Sequence, residues 1–170
     1  IIAVILFFTG CNSPPLYQQK AREYLTNQKV DHDVIQRLIE IKPLNIFESE
    51  MLAEYNNVPT LHLLASNPSI PNNIINRLVG HKNREVRWGM AINPNCPVKI
   101  LLGYRTAGKY TTMNTYLARN PRLPKQVLVD MFNNDEALGA SFALNENCPE
   151  EIMRKIVTGD DKMAKVWLAK

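Results

Sequence analysis

The sequence predicts an all-α protein, an α-solenoid of short helix–turn–helix units of about 26 residues each. Two observations carry that expectation. First, a seven-residue motif occurs four times: Ala65-Ser66-Asn67-Pro68-Ser69-Ile70-Pro71, Ala91-Ile92-Asn93-Pro94-Asn95-Cys96-Pro97, Ala118-Arg119-Asn120-Pro121-Arg122-Leu123-Pro124 and Ala143-Leu144-Asn145-Glu146-Asn147-Cys148-Pro149. Its final prolines step by 26, 27 and 25 residues, a period at which each unit buries its apolar face only against its neighbours. Second, apolar residues flank each motif at helical spacing. Ile74, Ile75, Leu78 and Val79 follow Pro71; Val127, Leu128, Met131 and Phe132 follow Pro124; Ile152, Met153, Ile156 and Val157 follow Pro149. That is the stripe of a two-turn amphipathic helix, with proline suited to its first position. Upstream of each Ala lie apolar partners such as Val86 and Met90, with capping residues Asn83, Asp135 and Asp161 eight positions before it. The small Ala suits close backbone approach between stacked units.

Taken in order, the chain opens on an apolar run, Ile1 to Phe8, with no starting Met. The run is shorter than the roughly 20 residues a membrane-spanning helix needs and fits the apolar part of a signal peptide, residues 1–10, clipped at its start. Phe8-Thr9-Gly10-Cys11 resembles the lipobox of bacterial lipoproteins, with Phe8 where Leu is usual. The resemblance implies cleavage before Cys11 and lipid attachment to it, and residues 11–16 read as lipidated Cys and polar tether.

Residues 17–170 are expected to form the repeats. Leu16 to Leu25 has a helical pattern, and Asp31 stands where later units have Pro, followed by Val34, Ile35, Leu38 and Ile39. A further copy, Ala53 to Pro59 with Asn45 as its cap, precedes Pro71 by only 12 residues. Pro59 to Ser66 therefore serves as one shared helix, and the array is irregular near 40–66. From Ala65 the register is regular. The array is expected to continue past residue 170, because terminal units normally shield a solenoid's ends.

The pattern Val-Arg-x-x-x-Ala-x-Asn-Pro-Asn-Cys-Pro, complete from Val86 to Pro97, resembles the leucine-rich repeat variant family. That resemblance implies a right-handed, HEAT-like coil of alternating helices and transfers no catalytic residue. Some relatives carry a cysteine-rich iron–sulfur module ahead of their repeats; nothing before Asn27 matches it, and no cofactor is expected.

Chemistry-bearing residues are few. Cys96 and Cys148 occupy the slot held by Ile70 and Leu123 in other units, which reads as a buried apolar position. They stand two units apart, too far for a disulfide. His32, His62 and His81 have no metal-ligand spacing, and no phosphate loop or nucleophile motif occurs. No enzyme activity and no metal are expected.

Charge is the informative feature. Between Ser66 and Val129 ten basic residues face one acid, Glu85, although the whole chain carries only +4. Arg84, Arg87, Arg105, Arg119, Arg122 and Lys125 are the candidate partner-binding residues of this basic band. Trp88, Tyr104, Tyr110 and Tyr116 fall in the same belt. The expectation is a monomeric, lipid-anchored, non-catalytic repeat lipoprotein in the bacterial cell envelope. Its surface would bind an anionic macromolecule, a protein or an envelope component. A basic nucleic-acid-binding solenoid is the alternative if the chain is not exported, and the Cys11 signal opposes it.

Overall fold

The computed structural model describes residues 44–105, 112–135 and 138–159. Among these residues the chain is all-α, with nine helices and no strand. They are α1 (Ile46–Glu54), α2 (Val58–Ser66), α3 (Asn72–Leu78), α4 (Arg84–Ile92), α5 (Val98–Tyr104), α6 (Thr112–Ala118), α7 (Lys125–Asn134), α8 (Gly139–Ala143) and α9 (Glu150–Thr158). The signal-peptide segment, Cys11, the Leu16–Leu25 pattern, the Asp31 copy, His32, Tyr110 and Asp161 lie outside the described residues.

Local chemistry starts the helices. Asn45 Oδ1 accepts from Glu48 N at 2.9 Å while Glu48 Oε2 accepts from Asn45 N at 3.0 Å, a closed capping box on α1. Asn57 caps α2 through Thr60 N, and Asn83 caps α4 through Glu85 N. Asn56, between α1 and α2, has φ 50°, a left-handed conformation that asparagine tolerates better than most residues. No second helix separates α1 from α2, in keeping with a shared helix there.

The motif prolines sit one residue earlier than expected. Pro71, Pro97, Pro124 and Pro149 are N-caps, with extended ψ between 134° and 154°, rather than first helical residues. Their carbonyls already accept helical bonds, as in Ile75 N to Pro71 O at 3.1 Å, and lacking an N–H they leave no donor unsatisfied. Asp135 closes α7, and its carbonyl accepts from Leu138 N at 3.2 Å on the approach to α8. One further expectation fails. Val157, placed in the apolar stripe of α9, is 55% exposed, because α9 is covered along the Ile152–Ile156 line alone.

Packing follows the repeat. α2 packs on α4, α4 on α6 and α6 on α8, while each of these helices also contacts a helix adjacent to it in chain order. Ala65, Ala91 and Ala118 are fully buried where these helices meet, as the motif predicted. The core between them is Leu61, Leu64, Ile74, Ile75, Leu78, Val86, Met90, Leu101, Leu117, Leu128 and Phe142, all within 2% of full burial. The closest approach comes at Gly89, where a Cβ would stand 2.5 Å from His62 O and 2.9 Å from Ala65 Cβ. Only glycine lets α4 lie this near α2.

Candidate functional site

In three of the four motif copies the Asn crosses to the preceding unit. Asn93 Nδ2 donates to Ala65 O at 2.6 Å and Asn67 O at 2.9 Å. Asn120 repeats the pair on Ala91 O and Asn93 O, at 2.6 and 3.0 Å. Asn145 repeats it again on Ala118 O and Asn120 O, at 2.8 and 3.0 Å. Each Oδ1 meanwhile accepts from the N–H two residues on, at Asn95, Arg122 and Asn147, and Asn67 does the same for Ser69. The carbonyls so engaged are the ones a helix end leaves without an intrahelical donor. One buried amide thus closes its own turn and caps its neighbour's helix. A second, outer rung runs from Asn95 to Pro68 O and from Asn147 to Pro121 O, with Arg122 in that place in the unit between.

This asparagine ladder accounts for the motif as architecture. Proline biases the preceding residue toward extended backbone, as at Asn67 and Asn93 with ψ 125° and 122°. Asn145 precedes Glu146 instead and still makes every rung bond, so the amide rather than the ring defines the turn. The cysteine slot is structural as well. Cys96 is fully buried and Cys148 half-buried, both with free thiols. Burial pushes each up to about 11, against the Arg122 charge in the case of Cys96, so neither is a thiolate nucleophile near neutral pH.

The six predicted binding residues fall on two edges of the molecule. Arg119, Arg122 and Lys125 are exposed at the α6–α7 turn, on the edge that carries the asparagine ladder. Arg84 and Arg87 start α4 and Arg105 ends α5, on the opposite edge. A nine-residue helix separates the two groups by roughly 13 Å. The six therefore do not make a single patch.

The edge opposite the ladder holds a cleft of about 410 Å³ where the starts of α4 and α6 meet the end of α5. Its walls are Arg84, Arg87 and Trp88 from α4, Gly103 and Tyr104 from α5, and Thr112 and Met113 from α6. The Arg84 guanidinium lies 5.3 Å from the Trp88 ring centroid. Trp88 in turn stacks on Tyr116 at 5.7 Å, and His62 meets the Tyr116 ring edge-on at 6.2 Å. Arg87 Nη1 donates to His81 O at 2.6 Å and Lys82 O at 2.9 Å, tying the α3–α4 loop to α4. Tyr104 donates its hydroxyl to Val79 O. Burial drives the Tyr104 hydroxyl strongly upward, helped by Cys96 and opposed by Arg87, so it stays a protonated donor. The two described histidines are engaged locally: His62 Nδ1 donates to Glu85 O at 2.7 Å, and His81 Nδ1 accepts from Asn83 N at 3.1 Å.

Sequence reasoning identified Arg84, Arg87, Trp88 and Tyr104 but not their assembly into one cleft, and it missed the ladder and Gly89. The ladder had a signal in the sequence: Asn is kept at the third motif position even in the copy whose following Pro is lost. Gly89 had none, since a glycine within a helix pattern reads only as a weak position. Compared with known proteins, the chain matches no family model, no curated protein and no solved structure.

Proposed function

We propose that the chain is a non-catalytic α-solenoid lipoprotein of leucine-rich-repeat-variant type, coiled right-handedly and tethered through Cys11, that binds an anionic partner in the bacterial cell envelope. The observation that carries the binding part is the concentration of base. Ten basic residues against one acid occupy Ser66 to Val129, and five of the six candidate residues among them, all but Arg87, are exposed. The ladder supports the scaffold part. The motif's asparagine side chains are engaged in joining one unit to the next, which leaves binding to exposed positions such as Arg119 and Arg122 and to residues outside the motif. The stacking of α2, α4, α6 and α8 supports the solenoid reading, in which consecutive units present one continuous surface. No helix among the described residues is long and apolar enough to cross a membrane, so the proposed attachment rests on the Cys11 signal.

The test is an envelope crosslinking pull-down with the lipidated protein. Reversing Arg119, Arg122 and Lys125 to Glu, together with Arg84 and Arg105, should remove the captured partner, and capture by the unaltered protein should weaken as salt shortens the Debye length from about 10 to 3 Å. Reversal of Lys155 and Lys162, in the acid-flanked end segment, is the control. Equal capture by both sets would refute binding through the basic residues. Cys11→Ser should move the protein out of the membrane fraction, and retention there would refute the anchor.

A further inference from the structure

We propose that the cleft between α4, α5 and α6 binds a phosphomonoester carried on a small organic body, about the size of a sugar phosphate. The inference deepens the anionic-partner reading by assigning one site its ligand chemistry, and it can fail while that reading stands.

The charge of the cleft selects the anion. Among its described lining residues are two guanidinium groups and no acid. Arg84 and Arg87 stand three positions apart on one helix, so both address the same space. A phosphomonoester carries about −1.5 to −2 at neutral pH and matches both, where a monocarboxylate would leave one cation unbalanced. Both cations are also held in place before a ligand arrives. The Trp88 face supports Arg84, and the loop carbonyls of His81 and Lys82 hold Arg87 through one nitrogen, leaving the rest of its fork for an oxyanion. Preorganisation of this kind lowers the ordering cost of binding.

The remaining wall selects the body of the ligand. Tyr104 gives its hydroxyl to Val79 O, so what it offers the cleft is its ring, with Met113 and the Trp88 edge beside it. Gly103 has nothing within 4 Å of where a Cβ would lie, which keeps that wall open, and Thr112 adds a hydroxyl. At about 410 Å³ the space lies at the small end of ligand sites, which run from roughly 300 to 1,000 Å³. It suits one monosaccharide-sized unit. The apolar contact should make a phosphorylated ring a better ligand than inorganic phosphate alone.

Trp88 supplies the readout. The chain has two tryptophans, so Trp167→Phe leaves Trp88 as the sole emitter. Titrating the full chain in detergent with glucose 6-phosphate should shift Trp88 emission to saturation, and calorimetry should give the same dissociation constant. Glucose and inorganic phosphate should each bind at least about tenfold more weakly. Arg84→Gln, an exposed change, should raise the dissociation constant about tenfold or more with the circular dichroism unaltered, whereas Arg154→Gln, an exposed change on α9, should leave it unchanged. Vesicles containing phosphatidic acid, a lipid phosphomonoester, separate the sources. Saturation by glucose 6-phosphate assigns a free ligand, and saturation by the vesicles alone assigns a headgroup, each supporting phosphomonoester chemistry. No saturable response from either, or equal curves for the parent protein and Arg84→Gln, would overturn the proposal. Equal affinity for inorganic phosphate would overturn the organic body. The envelope pull-down with Arg119, Arg122 and Lys125 altered reads the broader reading independently, because those residues lie off the cleft.

Discussion

The two edges of this molecule are built by opposite rules. On one edge three successive units repeat the same bonds: an Asn amide onto an Ala carbonyl and an Asn carbonyl of the unit before, at nearly constant distances. On the other edge the two units that meet at the cleft differ. Arg84, Trp88 and Tyr104 gather in the unit from α4 to α5, while the next full unit, α6 and α7, places Thr112 and Met113 at the start of its first helix. Repetition marks what folding requires, since each unit must be capped by the next. Variation marks what folding leaves free, and the cleft lies there.

The sharpest way to break this contrast is to reverse the polarity of one rung. Asn120→Asp would replace an amide that donates to two buried carbonyls with a carboxylate facing them. Burying an unpaired charge costs several kcal/mol, or forces the carboxyl to protonate, so the variant should unfold at markedly lower denaturant. Asn120→Ala, which leaves Ala91 O without its amide donor and Arg122 N without its side-chain acceptor while Asn93 O keeps its bond from Cys96 N, should cost about 1–3 kcal/mol. Chemical denaturation that ranks the two changes the other way would show that the rung bonds do not hold the units together.

Next in size is Gly89→Ala. The added methyl would meet His62 O at 2.5 Å, and that neighbour is backbone, which cannot swing aside. Overpacking of this kind costs roughly 1–3 kcal/mol and should pry α4 from α2. Gly103→Ala, with open space around its Cβ position, is the matched control and should be neutral or slightly stabilising as a helix substitution. Similar melting temperatures for the two variants would show that the α2–α4 approach is looser than these distances imply.

These tests also show why parts of the molecule were legible in the sequence and parts were not. Helix positions were legible because apolar spacing and caps act locally, as at Asn45, Asn83 and the Ile74-Ile75-Leu78 stripe. Proline was misplaced by one residue because a helix's first hydrogen-bonded carbonyl belongs to the residue outside it, which spacing alone does not reveal. The ladder is not legible from local pattern because its bonds link residues 25 to 29 positions apart. The basic residues were legible as a charge excess but not as two groups. Whether a residue sits before or after a helix decides its edge, and a count along the chain ignores that.

The smallest expected effect separates two arginines that the sequence treated alike. Arg84 is exposed, and its described contact is with the Trp88 ring, so Arg84→Gln should change stability by no more than about 0.5 kcal/mol. Arg87 is half-buried and bonds the carbonyls of His81 and Lys82. Hydrogen bonds from a charged donor contribute about 1.5–3 kcal/mol each, but these two share one nitrogen and one of them is exposed, so Arg87→Gln should cost roughly 1 kcal/mol. The loss should be local, appearing as faster amide exchange across the α3–α4 loop before any change in α6 or α7. Arg87→Lys keeps the charge but not the planar fork and should behave like Gln in stability. Equal stability of the Arg84 and Arg87 variants, with no change in loop exchange, would place both residues in the free, variable class and leave this edge without a structural arginine.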